Sequence, residues 1–199
     1  MSEIELPMQM DELEDYFKEN LGESVSEIKK EEFKKGLKET PMKVMWMTVD
    51  RSELRKAVKA VSEIQIPHLS VTSGSDMGDF VELIYHFHVN YGYPGDETSV
   101  NIKVHLPKDD LTIPTITDMV PGAITTEREK QEFLGVEVVD IPDSRRLWLD
   151  ENYPEDKYPW RWDDKGMEEE SRHVHEKENT QEKTVAEKAA ERKGGDSDE

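Results

Sequence analysis

Three histidines sit where they could hold a metal ion. From Val81 the odd positions Val81, Leu83, Tyr85, Phe87 and Val89 are apolar, and His86 and His88 fall between them. His105 alternates in the same way with Val100, Ile102, Val104 and Leu106. Strand geometry sends alternate side chains to opposite faces, so all three imidazoles leave the core side. With Val89 opposite Val100, His105 falls diagonal to His86 and the three share one patch, an arrangement that can bind zinc. The competing expectation is an ordinary polar outer face, because no carboxylate sits in register to orient a ligand histidine. His173 and His175 lie in a charge-rich tail and read as incidental.

Carboxylates are abundant, but acid–base catalysis needs a pocket that drives two of them to different pKa values. Glu127 is the exception of interest. On a predicted helix it shares a stripe with Ile124, Gln131 and Leu134, which implies partial burial and a cationic partner. Arg145, Arg146 or an arginine of another protein could serve, and a structural ion pair is the expected role. No Gly-rich phosphate loop, dinucleotide fingerprint or Gly-x-Ser-x-Gly elbow occurs in the chain.

A different chemistry is written between Glu127 and Asp163. Trp148, Trp160 and Trp162, three of the four tryptophans, fall in a proline-spaced stretch with Arg145, Arg146 and Arg161. The stretch is too irregular to build its own core. Large aromatics and arginines on extended backbone are the composition of a segment that docks on another protein. The rest of the chain is expected to present this stretch.

Composition sets the limits. The 199 residues carry a net charge of -20, so nucleic acid and anionic lipid surfaces are poor partners. There is no cysteine, which excludes disulfides, a thiol nucleophile and an iron–sulfur cluster held by this chain's thiolates. No signal peptide and no apolar run of the ~18–20 residues that span a bilayer is visible, so an intracellular, soluble protein is expected. Many Glu and Lys with few Asn and Gln resemble thermophilic usage.

The positioning elements follow from periodicity. Residues 10–21 read as a helix capped by Asp11 with Glu14 closing the capping box. Residues 24–38 read as an edge strand blunted by Lys and Glu. Met42–Val49 reads as a strand covered on both faces. Asp50 and Glu53 box a second helix with Leu54, Ala57, Val58 and Val61 inward. Pro67 starts a short strand with Leu69 and Val71, and the strands from Val81 and Val100 form a hairpin across Asn90–Asp96. A helical turn at 115–120 and a helix from Pro121 to Leu134 with Gly135 as its stop come next. The remainder is extended chain with a short strand at Leu147–Leu149. The expected fold is α+β, two helices on a four- to five-stranded mixed sheet, followed by an extended docking segment. Its divisions are an α+β domain over 1–110, a helix and docking segment over 111–163, and an acidic disordered tail over 164–199.

The docking stretch resembles the signature of the thirty-kilodalton subunit of complex I, the respiratory NADH dehydrogenase. That signature reads Glu-Arg-Glu, two variable residues, an acid, two apolar residues and Gly. Here Glu127, Arg128, Glu129, Glu132, Phe133, Leu134 and Gly135 match. A Gly-His-Pro-Asp turn with paired arginines follows in the family. This chain keeps Pro142, Asp143, Arg145 and Arg146, with Asp140 and Ile141 in place of Gly-His. The closing Pro-x-Arg-x-Asp is matched by Pro159, Arg161 and Asp163.

The departures, with Trp148 where a smaller aliphatic is usual, resemble a divergent branch like that of archaeal membrane-bound hydrogenase or sulfane sulfur reductase complexes. The resemblance implies a non-catalytic subunit of an oxidoreductase complex with no cofactor and no metal. It implies packing against a large, NiFe-hydrogenase-like catalytic subunit and a small iron–sulfur subunit at the cytoplasmic face of the cell membrane. Membrane contact would then come only through other subunits. It also implies that Arg145, Arg146 and Arg161 pair with partner carboxylates, and that Trp148, Trp160 and Trp162 anchor the interface. The alternatives are a metal-dependent enzyme using His86, His88 and His105, or an acidic adaptor whose tail recruits cationic proteins.

Overall fold

The hairpin with the cleanest alternation forms the middle of the molecule. In the computed structural model, which describes residues 4–37 and 39–167, β4 (Phe80–Val89) and β5 (Thr98–Pro107) pair antiparallel. Val81, Leu83, Tyr85, Phe87 and Val89 are buried on one face, opposite Leu106, Val104, Ile102 and Val100. The strands β1 (Val25–Lys35), β2 (Thr40–Val49) and β3 (His68–Asp76) complete a five-stranded mixed sheet in the order β1-β2-β5-β4-β3. Only the β2–β5 pairing within it is parallel.

Two helices cover the apolar face as expected. α1 (Met10–Leu21) buries Leu13, Phe17 and Leu21, and α2 (Leu54–Ile64) buries Leu54, Ala57, Val58 and Val61. Their caps differ from expectation. Gln9 and Glu12, not Asp11 and Glu14, form the capping box of α1, while Glu14 pairs with Lys30. Asp50 does cap, but it accepts from Ser52 in a 3-10 turn over Arg51–Glu53, and Glu53 takes the Ser24 hydroxyl instead.

The helix expected to end at Gly135 also forms, over Ala123–Leu134, but it packs on the sheet as a third helix, which periodicity did not anticipate. α3 (Ala123–Leu134) lies against β3 at Gly74, where a Cβ would stand 2.5 Å from Leu134 Cδ1. Glycine is what allows the approach. β3 is longer than expected, and a bulge between Leu69 and Val71 leaves Val71 exposed while Thr72 faces in. β2 is covered only in part on its second face: Met45, Met47 and Val49 are core, and on the opposite face Val44 is buried while Trp46 is half-buried. Beyond the main sheet, β6 (Thr112–Pro114) pairs parallel with β7 (Glu137–Val139) and closes a loop over α3.

Candidate partner-docking site

The helix α3 and the chain that returns over it, residues 136–163, are joined mainly by side chains bonding to backbone. Glu132 shows this best. Its carboxylate accepts the backbone N–H groups of Leu147, Trp148 (2.8 Å) and Leu149 (2.9 Å). The expected strand at Leu147–Leu149 is therefore absent, since its donors converge on one anion instead of a sheet partner.

Arg128 works in the opposite sense. It donates to the carbonyls of Arg145 (2.7 Å) and Arg146 (3.0 Å), and lies 3.4 Å from Asp143. Arg146 donates to the carbonyls of Asp150, Tyr153 and Pro154 at 3.1, 2.7 and 3.4 Å. Three carbonyls gathered on one planar guanidinium fix a loop with no regular structure. Arg145 is exposed and pairs with Asp143, whose carboxyl its guanidinium holds well below the usual range. The end of the segment is tied down at Arg161, which is buried, donates to the Leu134 carbonyl (3.2 Å) and pairs with Asp163 and Asp76.

Asp76, at the end of β3, also accepts from Lys108 (2.5 Å) and from the backbone N–H of Trp162 (2.8 Å). Burial pushes the Asp76 carboxyl upward, but Lys108 and the N–H groups of Trp162 and Gly78 outweigh it and leave it lowered. Asp163 is likewise lowered, its burial outweighed by Arg161 and Lys108. Neither Asp76 nor Lys108 was legible as part of the site, because each lies far from the docking stretch in sequence.

Glu127 is 2% exposed, as its helical position implied, but its partner is not an arginine. It accepts from the Thr115 hydroxyl (2.6 Å) and the Ile116 N–H (2.9 Å), bracing the turn that precedes α3. Burial raises its pKa, partly offset by those two donors. The buried face of α3 is also turned from expectation, with Ala123, Lys130 and Glu132 inside and Ile124 and Gln131 only partly covered. Lys130 is buried beside Glu129, and burial lowers its pKa.

With the polar residues turned inward, the aromatics remain outside. Trp148 is 61%, Trp162 70% and Trp160 40% exposed. Trp160 is held in place: its ring stacks on Phe133 with centroids 4.6 Å apart, Lys130 Nζ lies 4.8 Å from its centroid, and its backbone N–H donates to the Phe133 carbonyl. A cavity of about 280 Å³ opens between Trp160, Trp162 and the Gly74–Asp76 end of β3.

The sequence of residues 47–170 matches the family model described as respiratory-chain NADH dehydrogenase, 30 Kd subunit. The chain belongs to this family. It is 35% identical over 127 residues to the membrane-bound hydrogenase subunit beta of Pyrococcus furiosus, covering 63% of this chain and 73% of that one. The fold is shared with a chain of the membrane-bound sulfane sulfur reductase, an archaeal respiratory membrane complex. That match has a TM-score of 0.60 at 21% identity and covers 82% of this chain and 91% of the other. It is shared also with a trypsin-resistant fragment of Nqo5, at a TM-score of 0.50 and 21% identity over 66% and 98% of the two chains.

The family signature now has a structural reading. Asp140 adopts φ 62°, a conformation that suits glycine and that aspartate tolerates better than most residues. Gly135 has φ 72° and faces the Tyr158 ring, 2.6 Å from where a Cβ would stand. Glycine at this place in the motif thus serves both a helix stop and a packing contact.

The histidine patch does not form. The hairpin register places Phe87, not Val89, opposite Val100, so His86 faces Asn101 and His105 faces Glu82. His105 bonds Glu82 (3.0 Å), contrary to the expectation of no carboxylate in register, and His86 is held between Ser73 and Asn101. His88 instead neighbours His68 across the β3–β4 pair. Among the described residues no group of three His, Cys, Asp or Glu is placed to hold a metal ion. No helix of the described residues is long and apolar enough to cross a membrane. The expected tail lies outside the described residues from position 168 onward.

Proposed function

We propose that this chain is a non-catalytic, cofactor-free subunit of a complex I-related respiratory redox complex of the hydrogenase or sulfur-reductase type. It sits on the cytoplasmic face of the membrane and clamps a large NiFe-hydrogenase-like subunit against a small iron–sulfur subunit. The docking residues are those of segment 111–163, with the α+β domain of residues 1–110 as their support. The observation that carries this reading is the exposure of Trp148 and Trp162 on a segment pinned by Glu132, Arg128, Arg146 and Arg161. Aromatic side chains held rigidly outside a fold bind with little further loss of entropy, which is how a few residues dominate an interface. Family membership and the hydrogenase and sulfur-reductase relatives supply the class of complex.

The roles within the signature then separate. Glu127, Arg128, Arg146, Arg161 and Asp163 shape the segment, Glu129 accompanies the buried Lys130, and Arg145 stays at the surface where a partner carboxylate can compete for it. The test replaces Trp148 and Trp162 together by alanine in the native complex purified in mild detergent. Retention of the subunit should fall by roughly a hundredfold, about 3 kcal/mol, while its isolated thermal stability is unchanged. Undiminished retention would place the interface elsewhere.

A further inference from the structure

The two edges of the five-stranded sheet are built differently. β1 carries lysines and glutamates along its length, the charges that keep an exposed edge from accepting another strand. β3, at the opposite edge, reads His-Leu-Ser-Val-Thr-Ser-Gly-Ser before its terminal Asp76, with no lysine, arginine, glutamate or proline.

Register decides which backbone groups that edge leaves open. Met77 donates its N–H to the Phe80 carbonyl (2.9 Å) where β3 turns into β4, so Met77, Ser75 and Ser73 direct their N–H and C=O groups at β4. Gly74 and Asp76, lying between them, direct theirs away from the sheet. Among the described residues these backbone groups have no hydrogen-bond partner. α3 covers the helix-side face of β3 up to Leu134 above Gly74, and Thr72 is buried. From Gly74 to Asp76 the edge opens instead on the cavity of about 280 Å³ walled by Pro159, Trp160 and Trp162.

We propose that this edge takes an extended, uncharged segment of a neighbouring subunit as an additional strand, with one apolar side chain of that segment seated in the cavity. A residue that exchanges both backbone bonds with Gly74 sends its side chain to the face where a Gly74 Cβ would lie. Leu134 and Lys130 stand on that face, and Lys130 leads to the Trp160 ring, so the incoming side chain meets the indoles. The walls select an apolar residue. Asp76 and Asp163 are already met by Arg161 and Lys108, two anions against two cations, which leaves no net charge to recognise an ionic side chain. Residues 168–199 contain no apolar side chain larger than valine, so the chain's own C-terminal residues do not supply the occupant. A second copy would set two chains of net charge -20 edge to edge.

The proposal rests on the subunit reading above, and its test separates the two. Hydrogen exchange is followed amide by amide in the isolated full chain and in the complex purified in mild detergent. Ser73 and Ser75 should be protected in both. Gly74 should exchange fast in the isolated chain and at least about tenfold more slowly in the complex. A photoreactive benzophenone amino acid replacing Met77, which is exposed at the end of this edge, identifies the occupant by mass. Its adduct should fall on another subunit, in a stretch free of charged residues that holds a large apolar one. Unchanged exchange at Gly74 in a complex that retains the chain overturns the strand addition. So does an adduct on lipid, on a second copy or on a charged segment, or no adduct at all. Purification of the chain alone would overturn the subunit reading and this proposal together.

Discussion

The sheet and the docking segment are held by different forces. In β4 and β5, alternate apolar residues from Val81 to Leu106 are removed from water, and the stabilisation is spread over many side chains that interdigitate with α1 and α2. In the docking segment a few polar residues each bind several backbone groups: Glu132 takes three N–H groups, and Arg146 takes three carbonyls. The difference follows from what each region must leave exposed. A segment that folded by apolar burial would hide its tryptophans, whereas one fixed by capped backbone can keep them at the surface. Aromatics left exposed on an irregular segment therefore call for charged residues that act inward.

The contrast is tested most strongly by removing one residue from each region. Phe87→Ala should cost about 3–5 kcal/mol and lower the global unfolding midpoint, because it opens a cavity in the shared core. Glu132→Ala should cost less, about 2 kcal/mol, and act locally. Hydrogen exchange at Leu147–Leu149 should accelerate while the amides of β4 and β5 stay protected. Equal acceleration in both regions would mean that the segment and sheet unfold as one unit.

Acidification should discriminate next. Asp76 and Asp163 are lowered in the folded state, so their stabilising contribution is present above the ordinary carboxylate pKa and is lost as pH falls through their folded values. Below about pH 4 the end of the segment at Arg161–Asp163 should loosen before the sheet melts, read as Trp162 fluorescence changing ahead of far-ultraviolet circular dichroism. Glu127 runs the other way: its raised pKa favours the fold at low pH, and that contribution is lost as pH rises through its folded value.

The smallest effect is expected at Asp140. Asp140→Gly should change stability by less than about 0.5 kcal/mol, since relief at positive φ is offset by greater freedom of the unfolded chain. Asp140→Val should cost about 1–2 kcal/mol, because a β-branched side chain resists φ 62°. Thermal melts of the two variants give the comparison directly.

What the sequence determined by itself was local. The alternation from Val81 to Leu106, the stripe of α2 and the stop at Gly135 each follow from side-chain chemistry repeated at the period of one element. The Glu127–Asp163 signature was legible too, as spacing. Tertiary structure decided which way those residues point. A two-residue difference in hairpin register dispersed the histidines, and the carboxylate of Glu132 met donors fifteen to seventeen positions away. Asp76 joined a segment eighty-six residues further on. Register and long-range polar capture depend on how elements pack together, and no period within a single element encodes that.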